Sequence, residues 1–86
     1  MKKGASFMSY NKYITGQIIG MLRVKRGLTQ EQLSGLANIA RSHLAEIETG
    51  KKSASVETLW KISIALNMSL SSLIRLVEAA HREQGE

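Results

Sequence analysis

The fold is decided by the stretch Gly27-Leu28-Thr29-Gln30-Glu31-Gln32-Leu33-Ser34-Gly35-Leu36-Ala37-Asn38. Thr29 and Gln32 stand at the T-x-x-Q spacing of a capping box. The threonine hydroxyl accepts from the backbone N–H of Gln32, and the glutamine side chain reaches back to the N–H of Thr29. Leu28 and Leu33, on either side, have the spacing of a hydrophobic staple. These signals predict a short helix from about Gln30 to Ala37, with Leu33, Leu36 and Ala37 turned inward. Asn38 ends it, because asparagine tolerates the left-handed conformation that a sharp turn between helices needs.

Working outward, Gly27 follows Lys25 and Arg26 and marks the C-terminus of an earlier helix, whose negative end the two cations favour. That helix runs from Tyr13 to about Arg26, with Ile14, Ile18, Ile19 and Leu22 at helical spacing. Downstream, a third helix spans about Ala40 to Thr49, with Leu44 and Ile47 inward and Gly50 as its stop. Its N-cap is weak, since neither Ile39 nor Ala40 offers a side-chain acceptor. Lys51-Lys52-Ser53-Ala54 forms a basic loop. Ser55 caps a fourth helix that ends at Leu66-Asn67, and Ser69 starts a fifth from Leu70 to about Arg82. Residues 1–12 are expected to form a flexible N-terminal arm and 83–86 a frayed tail, leaving 13–82 as one domain. No segment alternates with period two. The expected class is all-α, a compact five-helix bundle.

Composition agrees. The 86 residues carry no proline and no cysteine, every acidic residue is Glu, and 43% of residues are hydrophobic. A disulfide framework and a Cys-based zinc site are excluded, while the apolar share supports a small core. Residues 1–61 hold ten Lys/Arg against four Glu, a balance of +6; residues 62–86 hold two Arg against three Glu, a balance of −1. A basic front and a near-neutral apolar rear suggest that one part meets a polyanion and the other meets protein. The lysines after Met1 are followed by no uninterrupted apolar run of a signal peptide, and nothing approaches a membrane span. The expected location is therefore cytoplasmic. An enzyme has little to stand on: there is no Cys, no Asp and no Gly-rich phosphate loop, and His43 and His81 lie far apart. No cofactor, metal or small-molecule effector domain is expected; His81 has no ligand companion at useful spacing.

The run from Gly27 to Leu33, continued by Leu44-Ala45-Glu46-Ile47-Glu48-Thr49-Gly50-Lys51, resembles the Xre/Cro-type helix-turn-helix family that includes phage repressors. Ser55-x-x-Thr58-Leu59 and Ile62-x-x-Ala65-Leu66-Asn67 are similar to the family's fourth helix, so the resemblance covers roughly residues 14–77. Ser34 and Asn38 depart mildly, standing where the family usually has Ala and Gly. The resemblance implies a lambda-repressor-like DNA-binding domain, a transcriptional regulator that uses the major groove of double-stranded DNA.

With Leu44 and Ile47 inward, the opposite side of the third helix carries Arg41, Ser42, Ala45, Glu46 and Thr49. Arg41 sits at the end that approaches base edges in the family, and arginine reads guanine bidentately. Arg41, Ser42 and Glu46 are the candidate base contacts; a phosphate contact or a solvated side chain is the alternative for Arg41. Glu46 either accepts from cytosine or joins an ion pair, within the helix or across a dimer. The candidate phosphate contacts are Gln30, which matches the family's clamping glutamine, His43, Thr49, and the loop residues Lys51, Lys52 and Ser53. The resemblance also places Arg23 and Glu48 in contact, a structural ion pair linking the first helix to the third.

The fourth helix carries two apolar rows, Leu59-Ile62-Leu66 and Val56-Trp60-Ile64. The first is expected in the core. Trp60 and Ile64, with Leu70, Leu73, Ile74 and Val77 of the fifth helix, are expected to form a two-fold homodimer interface on a roughly palindromic operator, unless they are core or scattered exposed apolar residues. The alternative is an antitoxin-type module whose rear face binds a toxin partner while the domain represses its own operon. Control of a restriction–modification system is another context for the same DNA chemistry.

Overall fold

The computed structural model describes residues 9–85. They form five α-helices: α1 Lys12–Lys25, α2 Gln30–Ala37, α3 Arg41–Glu48, α4 Val56–Ala65 and α5 Leu70–Gly85. No strand occurs among the described residues. α1 packs on α3 and α5, α2 lies against α3 and α4, and α4 meets α5. Among the described residues, no single helix is long and apolar enough to cross a membrane.

The capping box opens α2 as the sequence dictates. Thr29 Oγ1 accepts from the Gln32 N–H at 3.0 Å, and Gln32 Oε1 accepts from the Thr29 N–H at 2.9 Å. Ser55 caps α4 through the Thr58 N–H at 3.1 Å, while Ala40 leaves α3 without a side-chain cap.

The first four helices end alike, each turning over one residue of positive φ: Gly27 (71°), Asn38 (58°), Gly50 (79°) and Asn67 (61°). In every case the next residue's N–H returns to the carbonyl five positions back: Leu28 to Arg23, Ile39 to Ser34, Lys51 to Glu46 and Met68 to Ser63, at 2.9–3.1 Å. Carbonyls that a helix end orphans are thereby satisfied within the turn. Leu28, Ile39 and Met68 then fold onto the core. Lys51 stands exposed where the other three turns place an apolar side chain.

The core is built from Ile19 and Leu22 of α1, Leu33 and Ala37 of α2, Leu44 and Ile47 of α3, Leu59 and Ile62 of α4 with Leu66 at its cap, and Leu73 and Val77 of α5. Three expectations are corrected. Leu36 is 64% exposed, because the buried side of α2 centres on Leu33, Ala37 and Ser34 and Leu36 lies about 100° away at 3.6 residues per turn. Leu73 and Val77, 0% and 6% exposed, belong to this chain's own core and have no surface left for a partner. α5 continues past Arg82 to Gly85, so Glu83 and Gln84 are helical.

The N-terminal arm drawn through residue 12 lies outside the described residues as far as Met8, but its last part is ordered. Asn11 Oδ1 caps α1 by accepting from the Tyr13 N–H at 2.9 Å. The Asn11 N–H donates to His81 Nε2 at 3.0 Å, and Tyr10 stacks on the His81 ring at 5.4 Å. His81 Nδ1 is 2.8 Å from the Val77 carbonyl, so a neutral ring protonated at Nδ1 satisfies both bonds. The start of α1 is thus tied to the last turns of α5.

Candidate nucleic-acid interface

α3 is an eight-residue helix held by two buried side chains, Leu44 and Ile47. Arg41 and Ser42, at its N-terminal end, are exposed; His43, Ala45 and Glu46 are half-buried. The third helix thus presents the face read from its spacing. Neither ion pair among the described residues, Arg23–Glu48 or Lys61–Glu57, involves Glu46, so no intrahelical pair with Arg41 forms. Five positions is 500° of helix, which sets the two side chains about 140° apart.

The helix is fixed from behind by a network centred on Glu48. Arg23 Nε donates to Glu48 Oε2 at 2.7 Å and Nη2 to Oε1 at 3.0 Å, a bidentate fork. Arg23 Nη1 also donates to the Leu28 carbonyl at 2.8 Å, binding α1 to the turn before α2. The two side chains are only 16% and 7% exposed. The Glu48 hydrogen bonds hold the Arg23 pKa above its ordinary value, against the opposing cost of burial. A raised arginine pKa contributes stability at every pH below its ordinary value, lost only in strong alkali. The pair therefore acts unchanged across physiological pH.

Gln30 joins the same network. Its Nε2 donates to Glu48 Oε1 at 3.1 Å, so the amide expected to clamp phosphate holds the last residue of α3. The Thr49 hydroxyl turns back on the carbonyls of Ala45 and Glu46, at 3.0 and 3.3 Å. Lys51, Lys52 and Ser53 are exposed in the loop that follows. The N–H groups of Lys51 and Lys52 both return to the Glu46 carbonyl, at 2.9 and 3.2 Å, which folds the basic loop against the end of α3. Arg41, Ser42 and the lysine loop are therefore carried on one short segment whose inner side is locked.

On the rear, Trp60 and Ile64 are 57% and 61% exposed, with Val56 and Leu76 also open to solvent. Leu70 and Ile74 are half-buried. Among the described residues, no three His, Cys, Asp or Glu side chains converge as a metal site would require.

A helix-turn-helix family profile, HTH_3, matches residues 19–73, more than half of the chain and the whole of α2, α3 and the basic loop. The chain belongs to the Xre-type helix-turn-helix family. This Xre-type domain is 38% identical over 71 residues to the immunity repressor protein of Bacillus phage phi105, an alignment covering 83% of the chain and 49% of the repressor. The chain thus spans about half the length of that curated relative. Among solved structures it is similar to the restriction-modification controller protein C.AhdI from Aeromonas hydrophila, at 31% identity and a TM-score of 0.70 over 72% of this chain and 94% of that one. The controller protein C.Esp1396I, solved as a tetramer in complex with its natural 35 base-pair operator, shares the fold at 22% identity, with a TM-score of 0.77 over 85% of this chain and 96% of that one.

The Xre-type domain also depends on a residue that sequence reasoning passed over. Gly16 lies buried in α1 where it crosses the end of α3: a Cβ there would overlap the Ile47 carbonyl oxygen and come within 2.7 Å of that of Glu48. The available signal was a glycine inside a strongly helical stretch. Such a residue costs roughly 1 kcal/mol against alanine and calls for a close approach to explain it. At Gly50 a Cβ would meet the Tyr13 ring. This second contact brings the start of α1 against the loop that carries the lysines.

Proposed function

We propose that this domain reads DNA for a transcriptional regulator, binding a roughly palindromic operator as a homodimer through the major groove. The observation that carries the reading is α3: two side chains sunk in the core, Arg41 and Ser42 exposed at one end, a basic loop folded against the other. A helix about 10–12 Å across fits a B-DNA major groove about 12 Å wide. Arg41, Ser42 and Glu46 are assigned to base edges. Lys51, Lys52, Ser53, Thr49 and His43 are assigned to phosphates, with Gln30 joining them by exchanging Glu48 for a phosphate oxygen. The roles of its relatives, a phage immunity repressor and a restriction–modification controller, support the regulatory assignment.

The test is selection of bound duplexes from a random pool at a stated salt concentration. Wild-type protein should enrich a two-fold-related sequence. Arg41→Ala should relax preference at one base pair per half-site, at a cost of about 1–3 kcal/mol. Lys52→Ala should instead weaken all duplexes alike and lower the salt dependence by about one counterion. Equal enrichment of all sequences by wild type would overturn the assignment of Arg41.

The homodimer is carried by the unpartnered row Val56, Trp60 and Ile64, with Leu76 beside it on α5. Tryptophan is favoured at the centre of interfaces. With Leu73 and Val77 committed to the core, the interface rests on Trp60 and Ile64, with the half-buried Leu70 and Ile74 at its edge. Two-fold pairing there would set the recognition helices about 34 Å apart, one turn of DNA. Sedimentation at micromolar concentration should give a dimer, and Trp60→Glu a monomer. A wild-type monomer that binds its operator tightly would reassign this face to a protein partner.

A further inference from the structure

We propose that Lys12, in the first turn of α1, is a phosphate contact that extends the basic loop of α3 onto a second helix; the inference rests on the DNA-binding reading. Lys12 Nζ donates to the Lys51 carbonyl at 3.2 Å, across 39 residues of sequence. Lys51 is the residue that stands exposed where the other helix-ending turns send Leu28, Ile39 and Met68 into the core. Its turn therefore forgoes an apolar anchor, and the replacement anchors come from α1. The Tyr13 ring lies against Gly50, and Lys12 binds the next carbonyl.

The charges around this arrangement favour a polyanion. Lys12 is half-buried, and neither ion pair among the described residues involves it. Its hydrogen-bond partner is the backbone of a lysine followed by another lysine. Helix α1 brings no acidic residue in its first turn to offset the charge. An ammonium hydrogen-bonded to the backbone of a basic loop, with no carboxylate paired to it, adds to the positive field that an anion meets there. An ammonium has three donors and the Lys51 carbonyl takes one, so two remain for a phosphate oxygen at the edge of the major groove. The start of α1 is itself fixed by Asn11 and His81, so Lys12 projects from a tethered turn.

Binding of the full chain to its selected duplex and to a scrambled duplex, measured from ~50 to 300 mM salt, tests the proposal. Lys12→Gln should lower affinity about fivefold near 0.15 M salt for both duplexes, and reduce the slope of log K against log salt by about 0.9, the value of one phosphate contact. Lys12→Arg should retain both. Unfolding temperature should be unchanged within a few degrees for both variants. A slope and affinity equal to wild type in Lys12→Gln would overturn the contact and leave the DNA-binding reading intact. A wild-type chain that binds no duplex would overturn both.

Discussion

Gly16→Ala is expected to destabilise the domain by about 2–3 kcal/mol. Alanine is the better helix former by roughly 1 kcal/mol, so propensity alone predicts a gain. The new methyl group, however, has no space: it falls on the Ile47 carbonyl and beside that of Glu48. These are backbone atoms of α3 and cannot rotate away as a side chain could. Relief requires α1 and α3 to separate, which loosens Ile14 and Ile19 in the core and strains the Arg23–Glu48 fork. Overpacking costs typically 1–3 kcal/mol and more where backbone must move. For a domain of this size each kcal/mol shifts the unfolding temperature by roughly 4–8 °C, so calorimetry should find a fall of about 10–20 °C. An unchanged or raised transition would show that the two helices are not in the contact described.

The second large effect belongs to Arg23. Arg23→Ala removes three hydrogen bonds and leaves the Glu48 carboxylate, 7% exposed, with only the Gln30 amide. Stranding a buried charge costs roughly 3–5 kcal/mol; partial exposure of this pair sets the expectation near 3 kcal/mol. Arg23→Lys keeps the charge but loses the planar fork and should recover less than half. The double variant Arg23→Ala/Glu48→Ala should be more stable than the sum of the single losses predicts, because no charge is stranded. Strictly additive losses in chemical denaturation would show that the fork carries no coupling. On the proposed DNA-binding reading, affinity for the selected duplex should fall as well, since the fork sets the pose of α3.

Much of this was legible because it was local. Thr29 and Gln32 announce a helix start within four residues, and Gly27, Asn38 and Asn67 announce ends within one turn; the helices begin and end within a few residues of where these signals put them. The inward faces of α3 and of Leu59-Ile62-Leu66 followed from spacing alone. What stayed hidden lies between elements distant in sequence. Gly16 meets residues 47 and 48, Lys12 meets Lys51, and Asn11 meets His81, and no periodicity encodes such pairs. The Arg23–Glu48 pair escaped that limit only because family resemblance supplied it. Gln30 and its partner Glu48 stand 18 positions apart, so the sequence around Gln30 points only to phosphate. Leu73 and Val77 were misplaced because α5 is apolar on adjoining faces, and a pattern cannot say which row a single chain keeps for itself. Leu36 was misplaced because α2 is short, and two turns of helix define an inward side poorly.

The sealed left-handed turns at Gly27, Asn38, Gly50 and Asn67 have one more consequence. Each spends its hydrogen bonds within the joint, and Arg23, Gln30 and Glu48 brace the segment between. These bonds hold α3 against its neighbours at both of its ends. If two such domains pair as proposed, a misfit between their separation and the helical pitch would fall on the duplex, through bending or overtwisting at base steps that no side chain touches. Discrimination among operators would then depend partly on how willingly the untouched centre deforms.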